Sequence, residues 1–301
     1  MKFGGVFDGQ HTFLVVDEGR QGVQRGGFPR ARPARHARVQ NHAFGLLNPM
    51  AWSNALGFMR DLLHAGGTGG LNWHIHAYYS HKRWQPTVQL LAQFFAQIDP
   101  KSEHLLLIGG SAGWMMPQSW LTRFKRIDAY DIDPLAAWLF NVRHGPALAA
   151  QGITVQHHRE DALLRLPDIL QEHPDACVWF DNVLGQHRYR VRDEARVERE
   201  LGEVKTTLKA RHWGSLHDVW SGPTDGRLLP AGLNVWSHHV AAKQGLAPAF
   251  SQKLLATVGA KDVWQDHLTG HVFAPETQTT WMPWAFKPNY WHWLQAGWVH
   301  A

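Results

Sequence analysis

His104–Pro117 reads HLLLIGGSAGWMMP and is followed, at Arg126–Pro134, by RIDAYDIDP. A short apolar run, a turn carrying Gly109, Gly110 and Gly113, and a second apolar run ending in acids is how a nucleotide-binding crevice begins in a parallel sheet. In such sheets the ligand lies outside the carboxyl ends of the strands, so the first turn must let backbone N–H groups come close to it. Glycine meets that demand, because a Cβ would clash or forbid a positive φ. Asp131 falls at the end of the second strand, about 20 residues beyond the turn, where a carboxylate accepts from both hydroxyls of a ribose.

The alternation continues downstream. Apolar runs predict strands at His104–Ile108, Ile127–Asp131, Ile153–His157 and Ala176–Phe180, with helix-like segments between them at the spacing of βαβ units. A parallel sheet covered on both faces is therefore expected. Asp161, in HHREDALL, follows the third strand and is placed to accept from the exocyclic amino group of a purine; Asp181 and Asn182 follow the fourth. Pro134 predicts a helix start and Gly145 its end, with Leu135, Trp138, Leu139 and Val142 on the buried side. Further on, a helix is expected over Glu194–Ala210, a strand at Trp213–Val219 and a helix near Gln252–Val258. Two Trp-rich strand candidates, around Val263–Phe273 and Thr279–Trp298, predict an antiparallel hairpin on the sheet edge.

Ahead of Lys101 the pattern is helical. In NPMAWSNALGFMRDLLHAGG, Asn48 can cap, Pro49 suits the first helical position, Gly66 can close the far end, and Trp52, Leu56, Met59 and Leu63 share a face. The loop GGTGG, a polar stretch LNWHIHAYYSHKRW and a second amphipathic helix over Pro86–Ile98 complete a helical cap spanning 46–100. Residues 1–45 form a basic arm: Glu18–His42 is rich in Arg, Gly and Pro and almost free of periodic apolar residues, which predicts a loop or disorder. The arm reads as an extension without a role or, alternatively, as a nucleic-acid-binding segment; Asp8, Asp17 and Glu18 argue against a transit peptide.

With 301 residues, 44% hydrophobic and 18% charged, the chain can bury one large core with a small appendage. The formal charge of +5 bears on association rather than fold. No apolar run reaches membrane-spanning length, and MKFGGVFDGQ lacks the basic-then-apolar layout of a secretory signal, so a soluble cytoplasmic protein without membrane contact is expected. The single cysteine, Cys177, sits inside ACVWF and reads as a small buried residue.

Glycine turn, Asp131, Asp161 and Asp181–Asn182 in succession resemble the class I S-adenosylmethionine-dependent methyltransferases over Lys101 to the C-terminus. The resemblance implies a Rossmann-like, doubly wound α/β fold with a mostly parallel seven-stranded sheet and a reversed final strand, and S-adenosylmethionine as cofactor. It places the cofactor on Gly109, Gly110, Ser111, Gly113, Asp131, Asp161 and Asp181, with Trp114 a further candidate from its position after the turn. Two positions depart from the family pattern. Leu107 stands where an acid is usual two residues before the first glycine, and Ser111 where the turn has a glycine. LLLIGGSAGW is similar to the turn of spermidine-synthase-type aminopropyltransferases, which use a decarboxylated relative of the same cofactor. Ser111 and Ala112 break the G-x-G-x-x-G spacing of a dinucleotide-dependent dehydrogenase.

Transfer from a sulfonium needs alignment above all, with a base added for hydroxyl or amine acceptors. Catalytic candidates facing a small-molecule acceptor follow the fourth and fifth strands: Asp181, Asn182, Gln186 and His187 in WFDNVLGQHRYR, and His217, Asp218 and Ser221 in GSLHDVWSG. Adjacent strand residues point to opposite faces, so only a bend brings His217 and Asp218 into one site. In WHIHAYYSH, His74, His76 and His81 would share a face on a strand and diverge on a helix; no carboxylate or cysteine spacing completes a metal site, and none is expected. Tyr78, Tyr79 and Arg83 read as solvated loop residues or as groups closing over the donor. Trp114, directly after the turn, lies against the donor or packs beneath the turn.

Overall fold

A computed structural model describes residues 69–191, 193–225 and 237–301. The helix expected over Asn48–Gly66 and the basic arm of residues 1–45 lie outside the described residues. The first strand, β1 (His104–Ile108), is apolar from Leu105 onward and buried there on both faces, as a central parallel strand requires. It pairs in parallel with β2 (Arg126–Tyr130) on one side and β4 (Cys177–Asp181) on the other. The strand β3 (Thr154–His158) extends the sheet beyond β2, and β5 (Trp213–Pro223) extends it beyond β4. Antiparallel strands continue it: β9 (Tyr290–Val299) beside β5, then β8 (Gln278–Lys287), then β6 (His238–Ala241), with the two-residue β7 (Gln265–Asp266) on the far end of β5. Among the described residues nine strands stand where seven were expected, because short β6 and β7 carry no apolar run. The reversed final strand is present as β9.

Successive residues of β1 serve different layers. Leu105 and Leu107 pack with Trp84, Phe95, Trp120 and Phe140, whereas Leu106 and Ile108 pack with Leu166, Ile169 and Val197. The first layer comprises α1 (Leu71–Ala96), α2 (Gln118–Leu121) and α3 (Ala136–Ala149). The second comprises α4 (Ala162–Glu172), α5 (Val183–Arg190) and α6 (Glu194–Thr207). The sheet is doubly wound, and its direction of crossover reverses between β1 and β4. Two short helices, α7 (Ala242–Gly245) and α8 (Pro248–Thr257), lie outside this frame; α8 contributes to a third apolar cluster around Trp281, Trp291 and Trp293. Cys177 is wholly buried in the first cluster, and burial pushes its thiol up to about 12. No helix among the described residues is long and apolar enough to cross a membrane.

Three expectations fail for identifiable reasons. The polar stretch before Pro86 is not a loop: α1 runs unbroken through Pro86. Its buried stripe includes His74, Ser80 and Thr87, so the apolar period is hidden. The hydrogen bond that proline deletes is offset by side chains that dock the helix on β8. Arg83 Nε donates to the Ala285 carbonyl at 3.1 Å, and Thr87 Oγ1 to that of Pro283 at 2.8 Å. On α3 the buried residues are Ala136, Phe140, His144 and Leu148, while Trp138 and Val142 are exposed, and the helix passes through Gly145 and Pro146. The buried His144 again broke the pattern. Finally, both hairpin strands lie within Thr279–Trp298, turning at Pro288–Asn289, and β9 wedges between β5 and β8, so the hairpin is internal and β6 forms the edge.

Asp128, wholly buried on β2, accepts from Arg126 Nε at 2.7 Å, His104 Nε2 at 2.6 Å and His158 Nε2 at 2.8 Å. Burial opposes its charge, but these donors outweigh burial and hold the pKa down to about 2. A carboxylate depressed on folding stabilises above its unfolded value, and that stability is lost as pH falls through the native value. Asp128→Asn is expected to cost about 3 kcal/mol at pH 7, the gap to wild type narrowing below about pH 4; urea unfolding at pH 7 and pH 3 measures both.

Candidate functional site

Where crossover reverses, the turns after β1 and β4 diverge and open a crevice at the carboxyl edge of the sheet. The turn after β1 has positive φ at Gly109 (75°), Ser111 (48°) and Gly113 (66°). A Cβ on Gly109 would stand 2.7 Å from Val183 Cβ, and one on Gly113 2.5 Å from His144 Nε2. Protein packed beneath the turn thus requires these glycines as much as ligand approach does. Ser111 adopts the left-handed conformation with a side chain, at the position where the family resemblance has glycine. Its Oγ accepts from Trp73 Nε1 at 3.1 Å, and its N–H donates to Asp131 Oδ2 at 2.7 Å. Both Ser111→Gly and Ser111→Ala lose the Trp73 contact, but only glycine relieves the backbone. The glycine variant is expected to be the more stable of the two by about 1 kcal/mol in chemical unfolding.

Asp131 lies just past β2, partly buried, and Oδ1 accepts from the Asp133 N–H at 2.8 Å. Each carboxylate oxygen retains a lone pair. Burial drives its pKa up to about 6 against the two backbone donors. The turn after β4 is fixed differently. Asn182 is left-handed (φ 58°), its Nδ2 donates to Asp218 Oδ2 at 2.9 Å, and its Oδ1 accepts from the Asp218 N–H at 2.9 Å. Ser111 and Asn182 both line the crevice, so each of its two walls carries a left-handed non-glycine residue.

The crevice holds about 410 Å³, and its lining includes Trp73, Ser111, Trp114, Asp181, Asn182 and Trp284. Among the described residues the Asp181 carboxylate takes no hydrogen bond. Burial, and then the negative charge of Asp131, pushes its pKa up to about 7. A second cleft of about 500 Å³ shares Gly110 and Ser111 with the first and runs past Asp131, Pro134 and Phe140 to His157. Trp114 lies against the crevice: its Nε1 donates to His74 Nδ1 at 3.0 Å, and the Arg143 guanidinium sits 4.1 Å over its ring. With Nδ1 accepting, His74 donates through Nε2 to Asp133 Oδ2 at 2.8 Å, and the same oxygen accepts from the Gly70 N–H. This relay pins the start of α1, and with it Trp73, over the glycine turn.

Several sequence-based candidates are placed elsewhere. Asp161 caps α4 through the Leu163 N–H at 3.2 Å and pairs with Arg190, so its carboxylate is already engaged. His187 is buried against Glu200 at 2.6 Å and joins α5 to α6. His217 is wholly buried between Ser215 Oγ at 2.9 Å and Gln295 Oε1 at 3.1 Å, and burial depresses its pKa to about 4. The bulge in β5 falls after Asp218, too late to turn His217 onto Asp218's face. His76 packs on Phe286 and His81 bonds the Tyr78 carbonyl, so the three histidines of WHIHAYYSH diverge on the helix. Tyr78 and Tyr79 face solvent, and Arg83 is held by β8.

Asp218 itself stands directly behind the crevice wall, bonded to Asn182, to Gln186 Nε2 at 3.1 Å and to His292 Nδ1 at 2.9 Å. Burial opposes its ionisation, but His292, His267 and Asn182 outweigh burial and hold the pKa down to about 2. Ser221 bonds His267 Nε2 at 2.9 Å and the Tyr290 hydroxyl at 3.1 Å. The sequence reading missed His267, His292, Trp73 and Trp284. Helical spacing of Trp73 from Trp84 was the only local signal; the histidines meet Asp218 through strand register alone, Ser221 lying opposite His292.

No known family profile matches the chain, and no curated protein matches it. Among solved structures, an O-methyltransferase family protein from Burkholderia thailandensis is similar at 14% identity and a TM-score of 0.39, over 84% of this chain and 70% of that one. A S-adenosylmethionine-dependent methyltransferase from Anabaena variabilis is similar at 12% identity and a TM-score of 0.39, over 76% of this chain and 93% of that one. Magnesium protoporphyrin IX methyltransferase from Synechocystis is similar at 11% identity and a TM-score of 0.36, over 85% of this chain and 99% of that one.

Proposed function

We propose that the crevice between β1 and β4 binds S-adenosylmethionine and that the chain transfers its methyl group to a small acceptor. The observation that carries this reading is one carboxylate without a hydrogen-bond partner, Asp181, set among three indoles, Trp73, Trp114 and Trp284, beside the glycine turn. A half-buried carboxylate with aromatic faces suits a weakly hydrated cation. The lone pairs left on Asp131 suit ribose hydroxyls. When bound, the cofactor supplies a methyl group on a sulfonium, which is a good leaving group. What the chain contributes is alignment and exclusion of water: the indoles wall the crevice, Asp181 offsets positive charge, and Asn182, clamped from behind by Asp218, keeps its turn fixed.

A second reading is aminopropyl transfer from the decarboxylated donor. Among the described residues lining the crevice none is Lys or Arg, which favours a donor without a carboxylate. Competition between S-adenosylhomocysteine and methylthioadenosine, read by quenching of crevice tryptophan fluorescence, separates the two. Preference for the former supports methyl transfer and for the latter aminopropyl transfer, while folded protein that binds neither overturns both.

A further inference from the structure

Behind the crevice wall three side chains converge that methyl transfer leaves without a direct role. Asp218 on β5, His267 just past β7 and His292 on β9 are 0%, 0% and 7% exposed. One ligand atom from each lies within 4.8 Å of the others. Strand pairing brings them together, since β5 is flanked at this end by both β7 and β9.

The surrounding bonds orient all three groups. His267 Nδ1 donates to the Gly185 carbonyl at 3.0 Å, which leaves Nε2 as an acceptor directed at Ser221 Oγ, 2.9 Å away. A backbone carbonyl on the outer nitrogen is how metal-binding histidines are commonly held. Asp218 receives outer donors from Asn182 and Gln186, as a ligating carboxylate does. His292 Nδ1 stands 2.9 Å from Asp218 Oδ1, and its Nε2 is buried with no partner. Ligands at about 2.1 Å around one four-coordinate ion are themselves separated by roughly 3.4 Å, between the 2.9 Å from His292 to Asp218 and the 4.8 Å that bounds the other two separations. No Lys or Arg among the described residues pairs with Asp218, so the charge of this carboxylate is left to neighbouring histidines.

We infer that Asp218, His267 and His292 hold one divalent transition-metal ion of the zinc class, with the Ser221 hydroxyl beside the fourth position. Two imidazoles and one carboxylate select such ions over magnesium or calcium, which take oxygen sets. The other histidine-rich group, around Asp128, is not equivalent: the Arg126 guanidinium, 2.7 Å away, already offsets the charge of its carboxylate.

The test uses the full chain without a polyhistidine tag, stripped with EDTA. Co²⁺ is titrated and read by its ligand-field absorption, and Zn²⁺ by equilibrium dialysis with elemental analysis. One equivalent is expected to bind, to be lost in His267→Ala and His292→Ala, and to persist in the double variant His104→Gln, His173→Gln. Gln186→Ala removes only an outer bond to Asp218 and is expected to weaken binding by about tenfold or more; it decides the matter if the histidine variants fail to fold. Absence of stoichiometric binding by the wild type, unchanged binding by Gln186→Ala, or loss confined to the double variant overturns the assignment. The measurement needs neither donor nor acceptor, so its failure leaves the proposed reaction standing.

Discussion

Replacing Asp131 with alanine is expected to weaken binding of S-adenosylhomocysteine by about 100-fold. A carboxylate accepting from two ribose hydroxyls makes two charge-assisted hydrogen bonds, together worth about 3 kcal/mol or more, and each 1.4 kcal/mol is about tenfold in affinity. Alanine has a further effect before any ligand arrives. The N–H groups of Ser111 and Asp133 lose their acceptor, and the left-handed Ser111 loses the contact that holds it. Asp131→Asn keeps one acceptor oxygen and is expected to lie between, at about a tenfold loss. Calorimetric titration of the three proteins orders them; equal affinities would remove Asp131 from the site.

Asp181→Asn is expected to stabilise the ligand-free protein while impairing it. Burial and the charge of Asp131 raise this carboxyl from 3.8 to about 7, so the native chain keeps a proton that the unfolded chain has already released. Stability therefore falls as pH rises from about 4 to about 7. The full difference corresponds to about 4 kcal/mol, and partial exposure of the side chain brings the expectation to about 2 kcal/mol. The amide variant should match wild type in urea unfolding near pH 4 and exceed it by about 2 kcal/mol at pH 8. It should also lose the preference for S-adenosylmethionine, whose sulfur is cationic, over S-adenosylhomocysteine, whose sulfur is neutral. A variant less stable than wild type at pH 8 would contradict the placement of Asp181 as a carboxylate without a partner. Strain and uncompensated charge held at the expense of stability are usual at binding sites.

The parallel core was legible because its strands are short apolar runs: HLLLI was placed to the residue, and the three parallel strands beside it within one. The glycine turn and Asp131 were legible because they depend on local geometry at the end of one strand. Interactions between distant segments were not. Two buried polar residues, His74 and Ser80, disguised the first half of α1 as a loop, and Thr87 continues their stripe; the partners of the three are Asp133, Arg83 of the same helix and the Pro283 carbonyl. Arg83 reaches Ser80 from one turn away, but Asp133 and Pro283 lie far along the chain. Asp218 could be named from its strand, and the adjacent His217 could join it only through a bend. Pleating sends His217 to the opposite face, and pairing of β5 with β9 delivers His292 instead. The side chains of Asp161 and His187 are engaged by Arg190 and Glu200, which no spacing in the sequence announced.

Calorimetric titration of the wild-type chain with S-adenosylhomocysteine decides whether the crevice is an adenosyl-cofactor site. Saturable heat at one ligand per chain is expected, with proton release near pH 6.5 as Asp131 accepts from the ribose hydroxyls and the ligand's ammonium settles near Asp181. No heat at millimolar ligand from protein that is folded by circular dichroism would contradict it.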